Sequence, residues 1–267
     1  MPARLEESRV LLTGATGGIG QAIARALHAR GATVVLTGRR TDLLTGLRSQ
    51  LGGRAEVLPA DLASTADVSS LAERAAPVHV LVANAGLPGT GRLESFTPEE
   101  IDRVLDVNLR SPVQLTRVLL PAMLERGSGH VVLISSLSGK IGSSRASVYC
   151  ASKFGLRGFG LALHDELQGT GVGATTILPG FIREAGMFAD SGAKLPPGIG
   201  TSSPQEVAEA VIEGIEKDRL EIDVAPVVMR TGARIFVTAP SLGSAISRAL
   251  GGRRVAANIS ERQSEKR

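Results

Sequence analysis

The chain of 267 residues has no tryptophan, one tyrosine and one cysteine, and aromatic side chains make up only 3% of it. A lone cysteine, Cys150, excludes an intrachain disulfide and suits a reducing compartment, so a cytoplasmic location is expected. Bases would find few rings to stack on. The formal net charge of +4 supplies no basic face either, because residues 253–267 hold five Lys/Arg against two Asp/Glu and the rest is nearly neutral. Nucleic-acid binding is therefore not expected. The four histidines stand singly at positions 28, 79, 130 and 164, without metal-ligand spacing, and no metal is expected. Met1 to Arg9 carries charges and no apolar run of signal-peptide length.

What is present is an ordinary globular balance, 43% hydrophobic and 21% charged, with no internal repeats and enough length for one large α/β domain. Apolar runs alternate with helical patterns from the start. Arg9-Val10-Leu11-Leu12-Thr13 reads as a strand and ends in the turn Gly14-Ala15-Thr16-Gly17-Gly18-Ile19-Gly20. A helix follows, with Ile19, Ile23 and Leu27 four apart and Gly31 as its stop, and then a second buried strand, residues 32–37. Strand, glycine turn, helix and strand within about thirty residues form a dinucleotide-binding unit. Glycines let the backbone turn tightly and approach a pyrophosphate, whose charge the helix N-terminus favours. The second strand ends Thr37-Gly38-Arg39-Arg40, where an acidic residue would accept hydrogen bonds from a ribose. A guanidinium grips a phosphate through parallel bonds instead, so Arg39 is expected on a 2′-phosphate with Arg40 flanking it or stacking on adenine, and NADP(H) is preferred over NAD(H). Two solvated arginines at a strand end are the plainer alternative.

Further strands are expected at residues 55–59, 78–83, 129–134, 172–178 and 220–225, with helices at 98–126, 147–168 and 207–217, the last opened by Ser203-Pro204-Gln205-Glu206. The alternation predicts a single-domain, Rossmann-type, doubly wound parallel sheet with helices on both faces, over residues 1–225. Ligands bind such sheets beyond the carboxyl ends of the strands. Asp61, Asn84-Ala85-Gly86, Ser135-Ser136 and Pro179-Gly180 all fall there. Tyr149 and Lys153 lie four apart, about one helical turn, and share a face. A free tyrosine, with a pKa of about 10, is a poor base; a neighbouring ammonium favours the phenolate. By itself the four-residue pattern is common on surface helices, and its neighbours decide.

Those neighbours are Thr13-Gly14-x-x-x-Gly18-Ile19-Gly20, Asn84-Ala85-Gly86, Asn108, Ser136, Tyr149-x-x-x-Lys153 and Pro179-Gly180, in that order. In these residues the chain resembles the short-chain dehydrogenase/reductase family, classical subfamily, over roughly residues 8–225. The resemblance implies an oxidoreductase that interconverts a secondary alcohol and a ketone. Tyr149 would be the general acid/base, Ser136 would hydrogen-bond the substrate oxygen, Lys153 would hold the nicotinamide ribose and lower the tyrosine pKa, and Asn108 would hold a water leading to solvent. Ser135 and Ser138 compete with Ser136, which the thirteen-residue spacing to Tyr149 favours. Moving a pKa from about 10 to about 7 needs roughly 4 kcal/mol. The cofactor would also meet Gly14, Thr16, Gly18, Ile19, Gly20, Asp61, Leu62, Asn84, Ala85, Gly86, Pro179, Gly180 and Ile182.

One departure from the family pattern is Glu184, which stands where a threonine is usual after Pro-Gly. Residues 181–203 form a Gly/Pro/Ser-rich stretch expected to be a mobile flap, with Met187 and Phe188 lining an apolar pocket for a lipophilic small molecule. Residues 226–250 mix apolar residues with Arg230, Arg234 and Arg248 and are expected to form a helical extension. That extension would pack on its own domain or a second subunit, in a homodimer or homotetramer, with peripheral membrane contact as the alternative. Residues 251–267 are expected to be a disordered tail. Two further readings are a redox-inactive dinucleotide-binding sensor or scaffold, and a reductase of 3-oxoacyl thioesters.

Overall fold

Runs such as Val10-Leu11-Leu12 are apolar on both sides of the pleat, so they are stable only with a packed layer on each face. The computed structural model describes residues 5–193, 195, 198–249, 251–261 and 263. Seven strands form: β1 (Arg9–Thr13), β2 (Thr33–Thr37), β3 (Ala55–Val57), β4 (Val80–Ala83), β5 (Gly129–Ile134), β6 (Val172–Pro179) and β7 (Glu221–Val224). They pair in parallel in the order β3-β2-β1-β4-β5-β6-β7. The helices are α1 (Gly18–Ala29), α2 (Thr41–Leu51), α3 (Thr65–Ala75), α4 (Pro98–Leu105), α5 (Ser111–Arg126) and α6 (Ser147–Glu166), then α7 (Gly186–Ser191), α8 (Pro204–Lys217), α9 (Val227–Thr238), α10 (Pro240–Ala249) and α11 (Gly252–Glu261).

Strand periodicity sorts the core into two layers. Val10, Leu12, Val34, Leu36, Val80 and Val82 point to one face, against buried residues of α1, α2 and α8. Leu11, Val35, Leu81, Val131 and Leu133 point to the other, against α3, α5 and α6. The doubly wound single domain is thus present. Each of these buried side chains contributes about 1.5–3 kcal/mol relative to exposure. The strand order reverses between β1 and β4, and a crevice opens beyond their carboxyl ends.

Two differences from the sequence reading bear on function. The helical stretch 98–126 is continuous, but its middle, Asp106–Arg110, is a wider π turn between α4 and α5. Such turns concentrate at functional sites. The larger difference is at the C-terminal end. Beyond the extension, which forms α9 and α10, the stretch expected to be disordered from residue 251 contains helix α11. Arg253, Arg254 and Glu261 give it a polar composition, yet Val255, Ala256, Ile259 and Gln263 recur at helical spacing and line one cavity wall. Burial of that stripe, invisible in composition, orders the segment. Among the described residues no helix is long and apolar enough to cross a membrane.

Candidate active site

The crevice is one end of a cavity of about 970 Å³. Its inner end is built by the turn after β1. Gly14 sits at φ +66°, and a Cβ there would lie 2.7 Å from the Cα of Ala85. A Cβ on Gly20 would lie 2.2 Å from the Gly14 carbonyl oxygen. Side chains at either position would push the turn away from β4. Thr13 Oγ1 accepts from the backbone N–H groups of Asn84 and Ala85, and Asn84 Nδ2 donates to the carbonyls of Thr13 and Gly14. Asn84 therefore holds the turn in place with its amide nitrogen. The start of α1 at Gly18 has no side-chain cap, so its first N–H groups are free to meet an anion.

At the end of β2, Arg39 and Arg40 are exposed and line the same cavity, and Arg40 donates to Thr16 Oγ1 at 3.2 Å. Asp61 and Leu62 lie on its border, with Asp61 3.5 Å from Arg103. Ala85, Gly86, Pro179, Gly180 and Ile182 complete this half of the lining. The residues fit a phosphorylated nicotinamide dinucleotide: a capless helix start for the diphosphate, two guanidiniums for a further phosphate, and Lys153 beside Gly86. A Cβ on Gly86 would be 3.6 Å from Lys153 Nζ, so the backbone there leaves room beside the amine.

Helix α6 brings Tyr149 and Lys153 onto the cavity, and the segment after β5 brings Ser136. Lys153 is buried, with Nζ donating to the Ile134 carbonyl at 3.0 Å and lying 5.8 Å from the centroid of the Tyr149 ring. The competing serines sort themselves out. Ser135 is buried and its hydroxyl donates to the Lys153 carbonyl, while the Ser138 N–H donates to Ser136 Oγ. Ser136 is the hydroxyl hydrogen-bonded to Tyr149.

The charges differ from expectation. Burial pushes the Tyr149 phenol up to about 12, with the Ser136 hydrogen bond opposing. Burial also pulls the Lys153 amine down, to about 8. Any lowering of the Tyr149 pKa therefore has to overcome this burial, with the bound nicotinamide's charge acting beside Lys153. Withdrawing a phenolate from water outweighs one amine that is itself reluctant to stay charged. Asn108 lies close to the amine, its Oδ1 and Lys153 Nζ each 3.6 Å from where a Cβ on Gly86 would stand. It does not line the cavity but is fully buried behind it, accepting from the Leu87 N–H at 2.7 Å and donating to the Leu87 carbonyl and Ser152 Oγ. It clamps the segment after β4 to α6 from within the π turn.

The outer half of the cavity is closed by the flap and the C-terminal helices. The flap is pinned at its base, where Ile182 bridges to Ser202. Met187 and Phe188 face the cavity, Phe188 against Phe181 at 4.8 Å between ring centroids. Glu184 turns outward: it has φ +70°, is exposed, and pairs with Arg183, while Ala185 and Gly186 form the wall. Across from them stand α9, α10 and α11. Gln263, 1% exposed, donates to the Met187 carbonyl and accepts from Thr90 Oγ1 at 2.9 Å, tying the chain's end to the flap and to the segment after β4. Composition gave no sign of this residue; only the spacing from Ile259 hinted at it. Among the described residues no His, Cys, Asp and Glu group could hold a metal ion.

This fold and cleft define a dinucleotide-dependent oxidoreductase of the α/β class. The profile of the family described as short chain dehydrogenase matches residues 8–195, and the chain belongs to that family, in its classical subfamily. It is 40% identical over 222 residues to the Ketoacyl reductase HetN of Nostoc sp., covering 80% of this chain and 77% of that one. It is 34% identical over 259 residues to Dehydrogenase/reductase SDR family member 7B of Mus musculus, covering 90% and 80%. A short-chain dehydrogenase from Sphingobium yanoikuyae, solved in complex with NADPH, superposes with a TM-score of 0.76 at 27% identity, over 88% of this chain and 94% of that one.

Proposed function

We propose that the protein is an NADP(H)-dependent oxidoreductase that interconverts a lipophilic ketone and its secondary alcohol. The observation that carries this is the meeting of Ser136, Tyr149 and Lys153 on one cavity wall, with Arg39 and Arg40 at the cavity's far end. When bound, NADPH supplies the hydride. Arg39 and Arg40 hold its 2′-phosphate, the start of α1 holds the diphosphate, and Lys153 holds ribose hydroxyls. Ser136 and Tyr149 hydrogen-bond the carbonyl oxygen, and Tyr149 gives it a proton. In the reverse direction Tyr149 takes the proton from the alcohol. Asn108 acts one step back, by fixing the segment that carries Gly86 and the helix that carries Lys153.

The Nostoc relative's name favours a second reading within the enzyme class, a 3-oxoacyl thioester as substrate. A redox-inactive sensor or scaffold is disfavoured by the intact Ser136-Tyr149-Lys153 wall. Cofactor fluorescence with NADPH and NADH, followed by a ketone, alcohol and 3-oxoacyl thioester panel at the nicotinamide absorbance, separates the three. Binding without turnover on any member of the panel would leave the sensor reading standing. Exposed Val227, Val228, Val237 and Leu242 on α9 and α10 are where a homodimer or homotetramer, or peripheral membrane contact, would form. Sedimentation and vesicle flotation distinguish these.

A further inference from the structure

We propose that the outer half of the cavity binds an aliphatic chain ending in an anionic headgroup, a carboxylate or a phosphate, and that Arg248 is the headgroup's ligand. This rests on the reading that the substrate carbonyl reacts at Tyr149, and it names the kind of molecule to which that carbonyl belongs.

The walls beyond Tyr149 are apolar on both sides. Met187, Phe188 and Leu195 line one side and Phe236, Val255 and Ile259 the other. Such a passage takes hydrocarbon. Arg248 stands on the same lining, from α10, with Nη1 donating to Ser244 Oγ at 2.7 Å and the Ser247 side of α10 also on the cavity. The segment that carries it is basic. Residues 224–260 contain five arginines and no aspartate or glutamate. Among the lining residues the sole carboxylate is Asp61, at the inner end and beside Arg103. The other guanidinium of the outer half, Arg145, is already paired with Glu261 at 3.2 Å. Arg248 has no carboxylate partner among the described residues. A neutral lipophile would leave this guanidinium merely solvated. An amphiphile with its chain along the apolar walls brings an anion to a planar donor suited to two parallel bonds. Because Arg248 is more than one-third exposed, water and salt weaken the attraction, and a modest effect is expected.

The test is calorimetric binding of dodecanoate, dodecyl phosphate and dodecanol to the full chain, with and without NADP+. We expect one saturable site per chain for the anionic amphiphiles. Arg248→Met keeps the aliphatic stem and removes the charge; it should weaken one or both anions about tenfold and leave dodecanol within about twofold. The anion that loses more identifies the headgroup as carboxylate or phosphate. Arg248→Lys should recover most of the lost affinity, which a disrupted α10 would not allow. Equal losses for all three molecules, unchanged anion binding, or binding with no saturation overturns the proposal. Binding is read without turnover, so an inactive protein that still binds anions through Arg248 would sink the catalytic reading and spare this one. Turnover of neutral ketones with no Arg248 effect would do the reverse.

Discussion

The two halves of the cavity are made in different ways. The inner half comes from short stretches in which neighbours in sequence are neighbours in space: Thr13 to Gly20, Gly38 to Arg40, Tyr149 to Lys153. The outer half is assembled from residues far apart in the chain, with Gln263 meeting Met187 and Thr90, the latter 173 positions away. A local unit pays its ordering entropy over a few residues, whereas a wall closed by distant contacts depends on the whole domain having folded first. Under the proposed function, chemistry and cofactor selection sit on the locally built part. Under the same proposal, substrate selection sits on the part closed by residues 181–203 and the C-terminal helices.

Substitutions in each half sharpen the contrast. The largest effect is expected from Tyr149→Phe, which removes the proton donor and keeps the ring: turnover should fall about 10²–10⁴-fold while NADPH affinity changes less than about threefold. If turnover survives on a substrate the wild type reduces, the proton comes from elsewhere. Lys153→Met should also abolish turnover but stabilise the fold. At pH 7 a buried amine with its pKa pulled down to about 8 carries a charge the fold disfavours, and removing it should add about 1–3 kcal/mol in urea denaturation. For wild type the sign is fixed. The unfolded chain holds this proton up to the ordinary lysine pKa of 10.5 and the folded chain only up to about 8, so this group makes stability rise with pH between those values. A variant that keeps that rise would show another group to be responsible.

Arg39→Ala, at the edge of the inner half, should weaken NADPH about 10–100-fold and NADH less than about threefold. Equal losses in cofactor titrations would remove the 2′-phosphate assignment. The smallest effect belongs to the outer half. Gln263→Ala should raise KM about 3–10-fold through a loosened flap, with NADPH affinity unchanged and kcat within about twofold. A matching loss of cofactor affinity would mean that the two halves are not separable. The pH dependence divides the directions of reaction. With the phenol raised to about 12, ketone reduction should stay level between about pH 6 and about pH 9, and alcohol oxidation should climb with pH across the same range. A reduction rate that falls through neutrality would contradict a protonated Tyr149.

Much of this was legible in advance for stated reasons. Period-two strands that are apolar on both faces require helices on both sides, and the glycine turn between a strand and a helix marks the crevice. The four-residue spacing from Tyr149 to Lys153 puts both on one face of α6. What could not be read was anything that depends on burial. The spacing that pairs Lys153 with Tyr149 says nothing of the desolvation that pushes the phenol up and the amine down. Asn108 could be placed in the site from the sequence, but not its complete burial or its bonds to Leu87 and Ser152. Glu184 occupied a contact position in the motif, but a left-handed backbone turns it away from the cavity.

By itself, the amino-acid sequence determined the sheet, its two helical layers, the crevice between β1 and β4 and the shared face of Tyr149 and Lys153 on α6, because each follows from periodicity or spacing within a few turns of chain. Only the tertiary structure decided the burial of Tyr149 and Lys153 and the make-up of the outer wall. The first depends on how much water the folded chain excludes. The second depends on where segments more than a hundred residues apart come to rest.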